Sequence, residues 1–227
     1  MQTLRWAGLC ALLVSFTMPE AVQAESSLPK VVLVGDSIRL SYASTVEEAL
    51  DGEAVVISPK ANGGDSSNVL KRLEQWVIRE QPDVVHFNCG IHDTKKFKSS
   101  GAFQVSAEQY EANLREIINQ IRAKTNATVL FATTTPILDG RAAKTRSERD
   151  YTLNGASVAQ FNAIALKVMQ ELNVPVNDLN AALSEADKPV GALIGADGVH
   201  LTPSGRDLAG RTVAEFIHEH LETSAEK

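Results

Sequence analysis

Five short, mainly apolar runs punctuate the chain, at Val31–Val34, Ala54–Ile57, Val84–Phe87, Thr128–Phe131 and Val174–Val176. Runs of this length without polar alternation predict strands buried on both faces. Between them the spacing changes. Val69, Leu70, Leu73, Trp76 and Val77 recur at helical intervals, as do Tyr110, Leu114, Ile117, Ile118 and Ile121. Val158, Phe161, Ile164, Ala165, Val168 and Leu172 mark another helix, and Glu47–Leu50 a short one. The last helix opens on Thr202-Pro203, a cap followed by proline at the first helical position, and buries Leu208, Val213, Phe216, Ile217 and Leu221. Strand and helix therefore alternate, which predicts an α/β domain with a parallel sheet covered on both sides. Pro136–Leu153 has neither period and reads as one long irregular loop, a length common in lids and binding loops.

The first residues stand outside this alternation. Arg5, an apolar stretch from Trp6 to Phe16 and the small-residue site Val22-Gln23-Ala24 form the pattern of a secretory signal peptide. The apolar stretch is too short to span a bilayer. Residues 1–24 are thus expected to be removed, leaving 25–227 as a single exported domain, periplasmic or secreted, with no stable membrane insertion. The net charge of −6 argues against nucleic acid as a partner. Past Ala24 only Cys89 remains, so no internal disulfide forms. Cys89 reads as a small apolar residue at the end of a buried strand rather than as a nucleophile.

In open α/β sheets ligands bind at the carboxyl ends of the strands. Three strands there lead into Gly35-Asp36-Ser37, Ala61-Asn62-Gly63-Gly64-Asp65-Ser66 and Asn88-Cys89-Gly90-Ile91-His92-Asp93. Asp197-Gly198-Val199-His200 precedes the last helix. A serine hydroxyl becomes a nucleophile when a base takes its proton and a third group holds that base. Ser37, His200 and Asp197 are the candidates for these roles. Attack on an ester carbonyl also needs donors for the oxyanion, and the backbone N–H groups of Ser37 and Gly64 and the ring N–H of His92 are candidates. No Gly-x-Ser-x-Gly elbow occurs, which argues against the usual α/β-hydrolase arrangement.

At these residues the chain resembles the SGNH hydrolases, also called GDSL esterases and lipases. Gly35-Asp36-Ser37 matches the nucleophile block, Gly64 the block that supplies a backbone donor, and Asp197-Gly198-Val199-His200 the Asp-x-x-His block. Gly90-Ile91-His92-Asp93 falls on the Gly-x-Asn-Asp block, with His92 where the family has asparagine. The resemblance implies a flavodoxin-like three-layer α/β/α sandwich with a five-stranded parallel sheet. It also implies hydrolysis of esters or thioesters through a serine, with no metal and no cofactor.

The loops around the expected site are polar, with Asn62, Asp65, Asn88, His92, Lys95 and Lys96. They favour a small-molecule or oligosaccharide ester, an acylated carbohydrate foremost. A lysophospholipase or thioesterase of the same family is the alternative, and a non-catalytic flavodoxin-like binding module is the alternative from another class. Arg141, Lys144, Arg146 and Arg149 cluster in the long loop and are expected to contact substrate.

Overall fold

The structure, a computed structural model, describes residues 28–222, and the segment read as a signal peptide lies outside them. Its main sheet has five parallel strands, in the order β2-β1-β3-β5-β7. These are β1 (Lys30–Val34), β2 (Val55–Ile57), β3 (Val84–Phe87), β5 (Thr128–Ala132) and β7 (Val176–Asn177). This is the flavodoxin-like order, and the chain reverses its direction of travel across the sheet between β1 and β3. Alternate residues of one strand feed two different cores. Val31 and Leu33 pack with α1 (Ser37–Ala49) and α8 (Pro203–Glu222), and Val32 and Val34 pack on the other face. There the partners are α2 (Ser66–Trp76), α3 (Ala107–Lys124) and α5 (Gly155–Glu171). The stripe of α3 read from the sequence, Tyr110 to Ile121, is completely buried. Each such side chain stabilises the fold by about 1.5–3 kcal/mol.

Side-chain caps start the helices. Asp36, Asp65, Ser106 and Asn154 each accept a hydrogen bond from a backbone N–H in the first turn of α1, α2, α3 and α5.

Three local expectations change. Helix α1 begins at Ser37, well before Glu47, because its buried stripe of Ile38, Tyr42 and Val46 also holds Arg39, a charged residue that masks the period. The last strand is Val176–Asn177 rather than Val174–Val176. Pro175 cannot donate to a ladder, and it contributes only its carbonyl, to Phe131 N at 3.1 Å. Pro136–Leu153 is not irregular. It contains α4 (Asp139–Thr145) and β6 (Tyr151–Thr152), the latter paired antiparallel with β4 (Lys96–Phe97). Two short helices, α6 (Leu179–Ser184) and α7 (Val190–Leu193), precede the final loop.

Candidate active site

Ser37 is the first residue of α1, delivered by a turn that only glycine permits. A Cβ on Gly35 would lie 1.9 Å from Asn88 Oδ1, so the loops after β1 and β3 could not close together. Asp36 is buried beneath the turn and its Oδ1 accepts from Ile38 N at 2.8 Å. Burial pushes its carboxyl up to about 6, against the opposing pull of the Ile38 N–H and the Asn88 amide. Arg39 is completely buried one turn on. Its Nη1 donates to Ser58 Oγ (2.7 Å) and Pro59 O (2.8 Å), and its Nη2 to Ala61 O (3.0 Å) and Gly35 O (3.1 Å). This one guanidinium ties the serine turn to the loop after β2.

The structure brings Ser37, His200 and Asp197 into one hydrogen-bonded chain. Ser37 Oγ lies 3.0 Å from His200 Nε2, and His200 Nδ1 lies 2.5 Å from Asp197 Oδ2. A carboxylate can only accept, so the His200 ring proton sits on Nδ1 and Nε2 is left to accept from the serine. Asp197 Oδ1 accepts from the backbone N–H groups of Val199 (3.0 Å) and His200 (2.9 Å). Partial burial opposes the charge of Asp197. The His200 ring and these N–H groups outweigh it, holding the carboxyl below the ordinary carboxylate range.

The long loop braces this chain from behind. Gly198 adopts φ +74°, and a Cβ there would lie 2.4 Å from Ala142 N, so glycine lets α4 pack directly on the Asp-x-x-His turn. Leu138 N donates to Gly198 O at 2.9 Å. Arg146 Nη1 donates to Asp197 O at 2.7 Å, and its Nη2 lies 3.7 Å from Asp197 Oδ2. Arg141 Nη1 donates to the carbonyls of Ile194 (2.7 Å) and Gly191 (2.9 Å).

Of the four basic residues expected to contact substrate, only Arg146 reaches the cavity at Ser37. Arg141 and Lys144 border a separate hollow beside Gly191 and Gly195, and Arg149 is exposed at the end of the loop. Arg141 and Lys144 share one side of α4, whereas Arg146 closes the helix and Arg149 lies beyond it. Arg146→Met is therefore expected to lower kcat about ten-fold, the lower end of a charge-assisted hydrogen bond, with KM for a neutral ester nearly unchanged. Steady-state kinetics check this. A rise in KM alone, confined to anionic substrates, would return Arg146 to a substrate-binding role.

The cavity has a volume of about 210 Å³. Ile91, Tyr151, Leu153 and Val199 are its apolar lining, and Asn62, Lys95 and Arg146 are among its polar lining. His92 stands in the wall with Ser37 and His200. Its Nδ1 lies 2.9 Å from Lys95 Nζ. Burial, then the Lys95 ammonium, lowers the His92 ring to about 4, so it is neutral at neutral pH. The turn carrying His92 is pinned by Asp93, whose Oδ1 accepts from Ser66 N (2.9 Å) and Ser66 Oγ (2.5 Å) at the start of α2. Gly64 behaves differently from expectation. Its N–H donates to Asn62 Oδ1 at 2.9 Å, inside its own loop, and Gly64 is not among the residues lining the cavity. Cys89 is completely buried, and burial raises its thiol well above the ordinary value, so it holds no reactive thiolate. Among the described residues, no group of three His, Cys, Asp or Glu side chains is placed to hold a metal ion.

Sequence reasoning missed the structural roles of Arg39 and Lys95, and missed Tyr151 and Leu153 as cavity walls. Lys95 carried one usable signal, its position three residues after His92 in a tight turn.

The chain matches the model of the GDSL-like lipase/acylhydrolase family over residues 33–208. It is 24% identical over 219 residues to an isoamyl acetate-hydrolyzing esterase 1 homolog of Rattus norvegicus, covering 89% of this chain and 84% of that one. Among solved structures, a lipase/acylhydrolase from Enterococcus faecalis superposes with a TM-score of 0.70 at 25% identity, covering 85% of this chain and 97% of the other. The acetylxylan esterase Axe2 from Geobacillus stearothermophilus shares the fold with a TM-score of 0.66 at 20% identity, over 82% of this chain and 93% of its own. With the match running from β1 into α8, the chain belongs to the GDSL-like lipase/acylhydrolase family and is a carboxylic ester hydrolase.

Proposed function

We propose that this protein is an exported serine esterase that removes short acyl groups, acetyl foremost, from acylated carbohydrate. The observation that carries this reading is the small cavity into which Ser37 opens. Four apolar residues and several polar ones line it together. Its volume is below the range usual for drug-sized ligands. A short acyl group suits Ile91 and Leu153, and a hydroxylated leaving group suits the Asn62 amide. Two similar proteins are named for acetyl esters, the rat relative and Axe2, and that supports the acyl size.

In this reading His200 Nε2 takes the proton of Ser37 as Oγ bonds to the carbonyl carbon. The carbonyl electrons move to the oxygen, which the Ser37 N–H at the start of α1 and the His92 ring N–H stabilise. Collapse breaks the bond to the sugar oxygen, which leaves with the proton from His200. Water then attacks the acyl-enzyme by the same route, releasing the acid and restoring Ser37. Gly64 joins the donors only if Asn62 releases its N–H. Export rests on residues 1–24 alone, and cleavage after Ala24 is checked by the mass of the secreted chain.

The deciding experiment compares kcat/KM on acetyl, butyryl and long-chain esters of one alcohol, beside acetate release from acetylated oligosaccharides. Acetylated oligosaccharides and the acetyl ester are expected to lead. Fastest turnover on the long-chain ester would make the protein a lipid esterase instead.

A further inference from the structure

His92 occupies a place where an amide would present its N–H without ambiguity. An imidazole has two nitrogens, and a neutral ring carries its proton on only one of them. Something must decide which. Lys95 Nζ lies 2.9 Å from His92 Nδ1. An ammonium has three donors and no acceptor, so Nδ1 must be the accepting nitrogen and the proton must sit on Nε2. No acceptor for Nε2 occurs among the described residues, and the ring lines the cavity with Ser37 and His200.

Lys95 is itself held in place. Its N donates to His92 O at 3.3 Å, and its carbonyl accepts from Gln104 N at 2.7 Å. Its ammonium lies 5.2 Å from the centre of the Tyr151 ring, over the ring face. The other charged or titratable groups that influence His92 are Asp65 and His200. Asp65 is engaged elsewhere. Its Oδ1 accepts from Asn68 N (2.9 Å) and its Oδ2 from Gln104 Nε2 (2.5 Å). His200 is turned to Ser37 and Asp197. Lys95 is the only one of the three that hydrogen-bonds the His92 ring.

We propose that Lys95 is a positioning residue of the oxyanion hole: by donating to Nδ1 it fixes His92 as the tautomer that presents Nε2–H to the carbonyl oxygen of the substrate. This rests on the reading of His92 as an oxyanion donor. Lys95 and His92 then act as one unit that does the work of a single side-chain amide. Lys95 touches no reacting atom and acts through the imidazole alone.

The test is a double-mutant cycle with a spectroscopic readout. Lys95→Met is expected to lower kcat about ten-fold with little change in KM, a fraction of the loss on deleting an oxyanion donor outright. Lys95→Arg, which also only donates, is expected to recover most of that loss. In a His92→Asn background, where the amide needs no tautomer, Lys95→Met should have almost no effect. Nitrogen-15 NMR of labelled histidine reads the ring directly. At neutral pH wild type should show His92 protonated on Nε2, and Lys95→Met should show a mixture of forms and a higher ring pKa. Reading the ring itself avoids confusion with Asp36 and Asp93, both pushed up to about 6 by burial. Equal losses from Lys95→Met in both backgrounds, or a wild-type proton on Nδ1, would overturn the proposal. A distinct pattern marks failure of the underlying reading. Wild type would still show Nε2–H, but His92→Ala would turn over as fast as wild type.

Discussion

Ser37→Ala is expected to remove essentially all turnover while leaving the fold unchanged. Loss of an activated serine has a scale of about a million-fold in kcat. The side-chain bond of Ser37 is to His200 Nε2, and the cap of α1 belongs to Asp36. Its deletion should therefore change unfolding free energy by less than about 0.5 kcal/mol. Two measurements bear on this. Ester hydrolysis should fall to the residue left by the oxyanion donors, and a fluorophosphonate that labels wild type should no longer attach. Activity within ten-fold of wild type, at normal folding, would remove Ser37 from the mechanism. Cys89 is no substitute nucleophile, since its thiol is enclosed and its pKa is raised.

His92→Ala is expected to lose about a hundred- to a thousand-fold, chiefly in kcat, because an oxyanion donor acts most strongly as charge develops. The range should lie toward its upper end. Gly64 N–H is occupied by Asn62 Oδ1 and offers little reserve. His92→Asn should regain much of the loss. The pH profile adds a sign that can be checked. Burial and the Lys95 ammonium hold the His92 ring at about 4, below its ordinary value, so the ring is already neutral through the working range. Activity should then persist on the alkaline side with no fall assignable to His92. An alkaline fall present in wild type and missing in His92→Asn would mean that the cationic ring is the donor. Wild-type rates in His92→Ala at every pH would leave the Ser37 N–H to act alone.

Much of this architecture is legible without coordinates, for reasons that can be named. Val31–Val34 and Val84–Phe87 read as strands because both faces of the sheet are covered and nearly every position is apolar. The three residues of the hydrogen-bonded chain read well because each sits where a strand ends or a helix is about to begin. Helix α1 is harder, since buried Arg39 breaks its stripe, its terminal nitrogens donating to Gly35 O one turn back and to three oxygens of the loop after β2. Helix α4 is harder still. Ala142 is its one fully buried residue, and its order comes from packing on Gly198 rather than from any period of its own. Four basic residues that neighbour one another in sequence are set apart in space, with Arg146 alone lining the cavity at Ser37 and Arg141 and Lys144 lining another hollow. The Gly64 N–H and the Lys95 ammonium depend on which way a single side chain turns, and no spacing along the chain encodes that.

The two-strand ribbon of β4 and β6 has a consequence for how such an enzyme can diverge. Phe97 pairs with Tyr151 and Lys96 with Thr152, and Lys95, the lysine beside His92, immediately precedes β4, so the aromatic wall of the cavity and that lysine are joined through one small ribbon. A change that opens the cavity to longer chains at Tyr151 also removes the ring beneath the Lys95 ammonium. Selectivity and speed are thereby inherited together. A lineage or an engineer broadening the acyl range through Tyr151 should pass through slow intermediates, unless a second change on the opposite strand resettles the lysine.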